Sequence, residues 1–140
     1  MAGSPITTRL PDWLDDELKN HFAKRREGRS EGFRHVVEEW WVLTNLPAIE
    51  YRDGVSGRRA SVRGGPDVWE IMMIARDFRD DADGLRKYFE WIPAENLDQA
   101  LAYAQRFPEQ IEYELEENDR VGRWLESEAE LRQQGFRKAG

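Results

Sequence analysis

The sequence predicts a mainly α chain in three parts: a strand and two helices that dimerise over residues 1–47, a β-hairpin with three helices over 48–108, and an acidic amphipathic helix over 109–140. Three observations carry this expectation. Ile6 to Leu10 alternates apolar and polar side chains just before a proline. Two runs with apolar residues three and four apart follow it. A glycine-rich stretch at 54, 57, 64 and 65 then separates them from three further helical runs.

Composition narrows the setting. A chain of 140 residues suits one ordinary domain or two very small ones, the latter helped by oligomerisation. There is no cysteine, so disulfides and thiolate metal sites are excluded, and a reducing compartment is expected. No apolar run approaches the roughly 20 residues that span a bilayer, and Pro5-Ile6-Thr7-Thr8-Arg9 does not read as a signal-peptide core. A cytoplasmic protein without a membrane partner is expected. The formal charge of -7 is unevenly spread: residues 1–47 carry 7 positive and 8 negative side chains, 48–108 carry 9 and 11, and 109–140 carry 5 and 9. Acidity concentrated in the tail leaves a near-neutral first part, in which local basic groups decide any contact with phosphate.

In the first part, Ile6, Thr8 and Leu10 fall on one face of the expected strand, and Thr7 and Arg9 on the other. Pro11 ends it. Asp12 is the expected N-cap of a helix with Leu14, Leu18 and Phe22 along one stripe, stopping at Gly28. Ser30 is the expected cap of a second helix with Phe33, Val36, Val37, Trp40 and Trp41 as its apolar face, ending at Asn45 and Pro47. A single strand leaves its backbone donors and acceptors open, and the same strand from a second copy would satisfy them. A two-stranded ribbon fits the DNA major groove, which would make Thr7 and Arg9 base readers. The alternative is that both residues are simply the solvated side of a strand. Lys24, Arg25, Arg26 and Arg29 are open in the same way, as solvated charge or as phosphate contacts.

The segments Ile6-Thr-Thr-Arg-Leu-Pro-Asp-Trp-Leu14 and Gly28-Arg-Ser-Glu-Gly-Phe-Arg-His-Val-Val-Glu-Glu-Trp-Trp41 together resemble ribbon-helix-helix repressors of the Arc, MetJ and CopG type. That resemblance implies base reading by Pro5, Thr7 and Arg9, and phosphate binding at the start of the second helix, at Ser30 and Glu31, aided by Arg29, Lys24 and Arg26. Free N–H groups and the positive end of the helix dipole coincide there, which suits an anion. The Glu31 carboxylate departs from the pattern and opposes it.

After Pro47, turn residues at 53, 54, 56 and 57 between short β-prone pieces predict the hairpin. Helices are then expected at 66–78 with Val68, Ile71, Met72 and Ala75 inward, at 83–91, and at 93–107 with Leu97, Leu101 and Ala104 inward. Gly57-Arg-Arg-Ala-Ser-Val-Arg-Gly64, Val68-Trp-Glu-Ile71 and Leu97-Asp-Gln-Ala-Leu-Ala-Tyr-Ala104 resemble a bacterial family of unknown function, number four hundred and thirty-three, found in some VapB-type antitoxins. It implies a homeodomain-like three-helix arrangement. Arg59-Ala60 lacks the family's usual proline, and Gly65 replaces a common threonine. Glu95 and Asp98 open the third helix, where carboxylates would repel phosphate, so a partner-binding role is favoured there; Arg58, Arg59 and Arg63 keep DNA contact open.

From Glu109 onward, Ile111, Leu115, Trp124, Leu125 and Leu131 suggest a long or broken amphipathic helix with a glutamate-rich outer face. Such a helix either folds back or crosses to another subunit, or it covers a toxin. Antitoxins resembling this layout wrap a toxin, commonly a PIN-type ribonuclease, with their C-terminal stretch; here Arg120, Arg123, Trp124 and Leu125 are the candidates for partner binding. Catalysis has few footholds. The two histidines, His21 and His35, are not at metal-ligand spacing, there is no phosphate loop, and Asp80, Asp81 and Asp83 fit a helix cap better than a cation loop. No enzyme, cofactor or metal is expected. The functional expectation is a homodimeric repressor that binds double-stranded DNA at the nucleoid, as an antitoxin controlling its own operon. The alternative is a transcription regulator or nucleoid-associated protein with no toxin.

Overall fold

In the computed structural model residues 3–139 are described, with side chains through residue 135. The elements run α1 (Asp12–Arg25), α2 (Arg29–Asn45), β1 (Ile49–Gly54), β2 (Gly57–Val62), α3 (Val68–Phe78), α4 (Ala82–Tyr88), α5 (Ala94–Arg106) and α6 (Pro108–Ala139). They form two compact units, Met1–Trp41 and Val42–Gly140. Among the described residues no helix is long and apolar enough to cross a membrane.

The expected N-terminal strand is absent. Residues 3–11 carry no strand, and two helices precede the first one, which contradicts the strand-helix-helix order of a ribbon-helix-helix domain. Alternation over five residues places side chains on two faces, but a strand also needs a ladder partner. The sheet among the described residues pairs β1 with β2, and Ile6 is left 89% exposed. The helix starts are also corrected. Pro11 precedes α1 and its carbonyl accepts from Leu14 N and Asp15 N, so Asp12 is a first-turn residue facing the dipole and not the cap. Ser30 likewise lies inside the first turn of α2.

Unit one closes on a single close approach. Arg26 takes a left-handed conformation (φ 55) and ends α1, and Glu27 N bonds to Phe22 O, so the chain reverses at once into α2. Phe22 is buried, and a Cβ on Gly32 would fall 2.5 Å from its ring, so only glycine lets the helices meet there. Leu14, Leu18, Val36 and Trp41 are half-buried. Phe33, Val37 and Trp40, expected inward, are exposed, Trp40 by 61%.

Unit two has a core of its own, and its elements lie close to where the turn residues and periodicity put them. The hairpin register pairs Ile49 with Val62 and Gly54 with Gly57 around a Val55-Ser56 turn, and the positive φ of Gly57 (106°) closes it. Ile49, Val62, Val68, Ile71, Leu97 and Ala100 are all at most 1% exposed. They place the inner face of the hairpin against α3 and α5. The Gln99 side chain accepts from Ala48 N at 2.7 Å, fixing the start of β1 against α5. A capping box between Asp67 and Glu70 starts α3, and Asp81 caps α4 by accepting from Gly84 N. Ile111 and Leu115 bring the first turns of α6 into the same core.

Those turns also bury Glu114, at 2% exposure, with Gln110 as its hydrogen-bond partner at 3.3 Å. Burial pushes its carboxyl up from the ordinary range, against the Gln110 hydrogen bond and nearby Arg59. Folded Glu114 therefore holds its proton more tightly than the unfolded chain does, and stability falls as pH rises through and beyond the usual carboxylate range. Glu114→Gln is expected to melt higher than the parent at neutral pH and to match it near about pH 4, where both side chains are uncharged. Thermal melts across pH check this, and a variant that melts lower at every pH would refute it.

Candidate nucleic-acid interface

The residues expected to meet DNA divide by what else they touch. Pro5, Thr7 and Arg9 are exposed on the irregular segment before α1, with no ribbon to present them. Around the turn between α1 and α2 the cations fall into two pairs. Arg29 reaches Asp15 at 2.6 Å, holding that carboxyl below its usual range with help from Lys19, and Arg25 lies 3.6 Å from Glu39. Lys24 and Arg26 are exposed, and neither makes an ion pair or side-chain hydrogen bond among the described residues. The abrupt end of α1 at Arg26 sets these two cations just before the first turn of α2, where Ser30 and Glu31 are exposed. Glu31 is itself the acidic group in that turn and competes with any anion for the helix dipole.

The hairpin arginines are engaged internally. Arg52 Nη1 donates to Gly65 O at 2.9 Å and Nη2 to Val62 O at 2.8 Å, while Nε donates to Glu50. Arg63 Nε donates to Pro47 O at 2.8 Å. Arg58 stacks 5.2 Å from the centre of Tyr51 and pairs with Asp53, and Arg59 stacks 5.7 Å from that of Trp69. These contacts hold the hairpin's ends and tip; they do not leave a basic surface. Between the hairpin tip and α6 lies an open cavity of about 370 Å³ lined by Arg59, Trp69, Val55 and Val121, with carboxylates from Asp53, Asp67 and Glu117. Its charges are mixed, which does not suit a phosphate. At the start of α5, Glu95 and Asp98 are exposed, and Asp98 faces Arg86 at 3.6 Å.

On α6, Arg120 bonds to Glu117 at 2.9 Å, and Ser127 donates to the carbonyl of Arg123. Trp124 and Leu125 are exposed. Sequence reasoning missed that the apolar stripes of α2 and of distal α6 face outward. The available signal was that neither stripe has a further element nearby in sequence to cover it. No family model, curated protein or solved structure matches the chain. With the helix-first order, this removes both family resemblances and the homeodomain-like arrangement implied by the second.

If Arg52 clamps the hairpin, Arg52→Ala leaves two carbonyls without their donor and is expected to destabilise unit two by about 1–3 kcal/mol. Chemical denaturation measures this. Unchanged stability together with weaker DNA binding would mean that Arg52 is instead a phosphate contact.

Proposed function

We propose that this chain is a DNA-binding transcriptional regulator that works as a homodimer at the nucleoid, with a repressor's role. The carrying observation is the pair Lys24 and Arg26, exposed and unpaired beside the first turn of α2 while their neighbours Arg25 and Arg29 are neutralised. Two such cations beside open helical N–H groups make a phosphate contact that fixes position on a duplex and carries no sequence information itself. Arg9 and Thr7, exposed on the preceding segment, are the residues placed to add base contacts. Dimerisation is supported by Phe33, Val37 and Trp40, which follow one another at helical spacing on α2 and remain exposed in a unit too small to cover them.

Fluorescence anisotropy on DNA upstream of the protein's own reading frame tests the proposal. Replacing Lys24 and Arg26 together with alanine is expected to weaken binding and to reduce the salt slope by about 1.8, the value for two phosphate contacts per chain lost from B-DNA. Binding with an unchanged slope, or no binding by the parent protein at low salt, would sink it. An antitoxin role with a PIN-type toxin is a second reading, favoured by exposed Trp124 and Leu125 on α6. Its test is co-purification with the product of a neighbouring reading frame.

A further inference from the structure

After Leu115 no described side chain of α6 is buried, although the helix continues to Ala139. Residues 118–135 thus extend about 27 Å past the last core contact. They carry an apolar stripe of Val121, Trp124, Leu125 and Leu131, with Trp124 and Leu131 each 61% exposed. A helix whose apolar stripe meets only water is held by intrinsic propensity alone, and Gly122 and Gly135 within it lower that propensity. The stripe needs a cover.

The charges on the same face say which cover fits. Counting from Trp124, the chain places Glu117 seven residues before, Arg120 four before, Glu128 four after and Arg132 eight after. At 100° per residue all four lie within one helical face with Trp124. The remaining acids of this stretch, Asp119, Glu126 and Glu130, point to the opposite side by the same geometry. The sign pattern along the seam is negative, positive, Trp124, negative, positive. Inverted and laid on itself about Trp124, it sets Arg120 against Glu128 and Glu117 against Arg132, twice each. Laid parallel it sets like on like.

We propose that the distal half of α6 is a self-association site, on which a second copy of this chain lies antiparallel across Trp124. The twofold axis passes near Trp124, whose indole and the Leu125 side chain meet their equivalents, with Val121 and Leu131 toward the two ends. A seam of four apolar side chains is at the small end of stable interfaces, so matching of the flanking charges decides orientation and partner. In the single chain Arg120 already bonds to Glu117, and in the pair it is shared with Glu128 of the second copy. This contact lies in unit two, separate from the exposed face of α2, and requires no nucleic acid.

Sedimentation equilibrium of the full chain tests it with two charge reversals. Arg120→Glu sets a new carboxylate against Glu128 of the other copy, and Glu128→Arg sets a new guanidinium against Arg120. Each reversal alone is expected to weaken this association by at least about tenfold. An equimolar mixture of the two variants restores both opposed pairs and is expected to recover the parent's mass. Trp124→Asp is expected to abolish the contact in every combination, with helix content by circular dichroism unchanged in the charge variants. Equal masses for parent and single reversals, or a mixture that fails to recover, would overturn the proposal. So would capture of a toxin on the Trp124 face by a parent chain that does not self-associate there.

Discussion

Two helices joined by a short turn touch along one line, and side chains away from that line have nothing in the pair to cover them. Unit one meets this constraint directly. It buries Phe22 against the bare backbone of Gly32 and leaves Phe33, Val37 and Trp40 exposed. A unit of this size gains little from its own core, since small domains bury a smaller share of their surface. The missing cover belongs to another molecule, and a unit carrying nearly equal numbers of positive and negative side chains does not repel its own copy.

Unit two solves the same problem within one chain. Its hairpin has a helical layer to lie on, so Ile49 and Val62 are sealed by α3 and α5. Its arginines become structural groups, because carbonyls left open at the hairpin's ends are close enough to take guanidinium donors. That assignment decides where function can lie. A guanidinium bonded to two carbonyls is a poor phosphate ligand, whereas Lys24 and Arg26 have no such commitment.

Much of unit two was legible in the sequence. Turn residues at 53–57 marked the hairpin, and the spacing of Val68, Ile71, Leu97 and Ala104 marked which helix faces turn inward. Residues 6–10 misled because alternation describes side-chain direction and is silent on whether a ladder partner exists. The stripes on α2 and α6 were legible as stripes, but periodicity does not say whether the covering surface lies in the same chain. The arginine roles were not legible at all. Arg52 and its carbonyl acceptors are 10 and 13 residues apart, and only the folded hairpin turn and the loop after it bring them together. In the candidate interface the sequence named Lys24, Arg26, Arg29 and Ser30 but could not separate the neutralised Arg29 from its unpaired neighbours.

Amide hydrogen exchange of the full chain, with and without duplex DNA, tests the central claim most directly. The account predicts that DNA slows exchange at residues 24–31, around the turn and the first helical N–H groups of α2, and leaves the hairpin at 49–62 unchanged. Protection of the hairpin with none at the turn would contradict it, as would no protection anywhere under conditions where the duplex is bound.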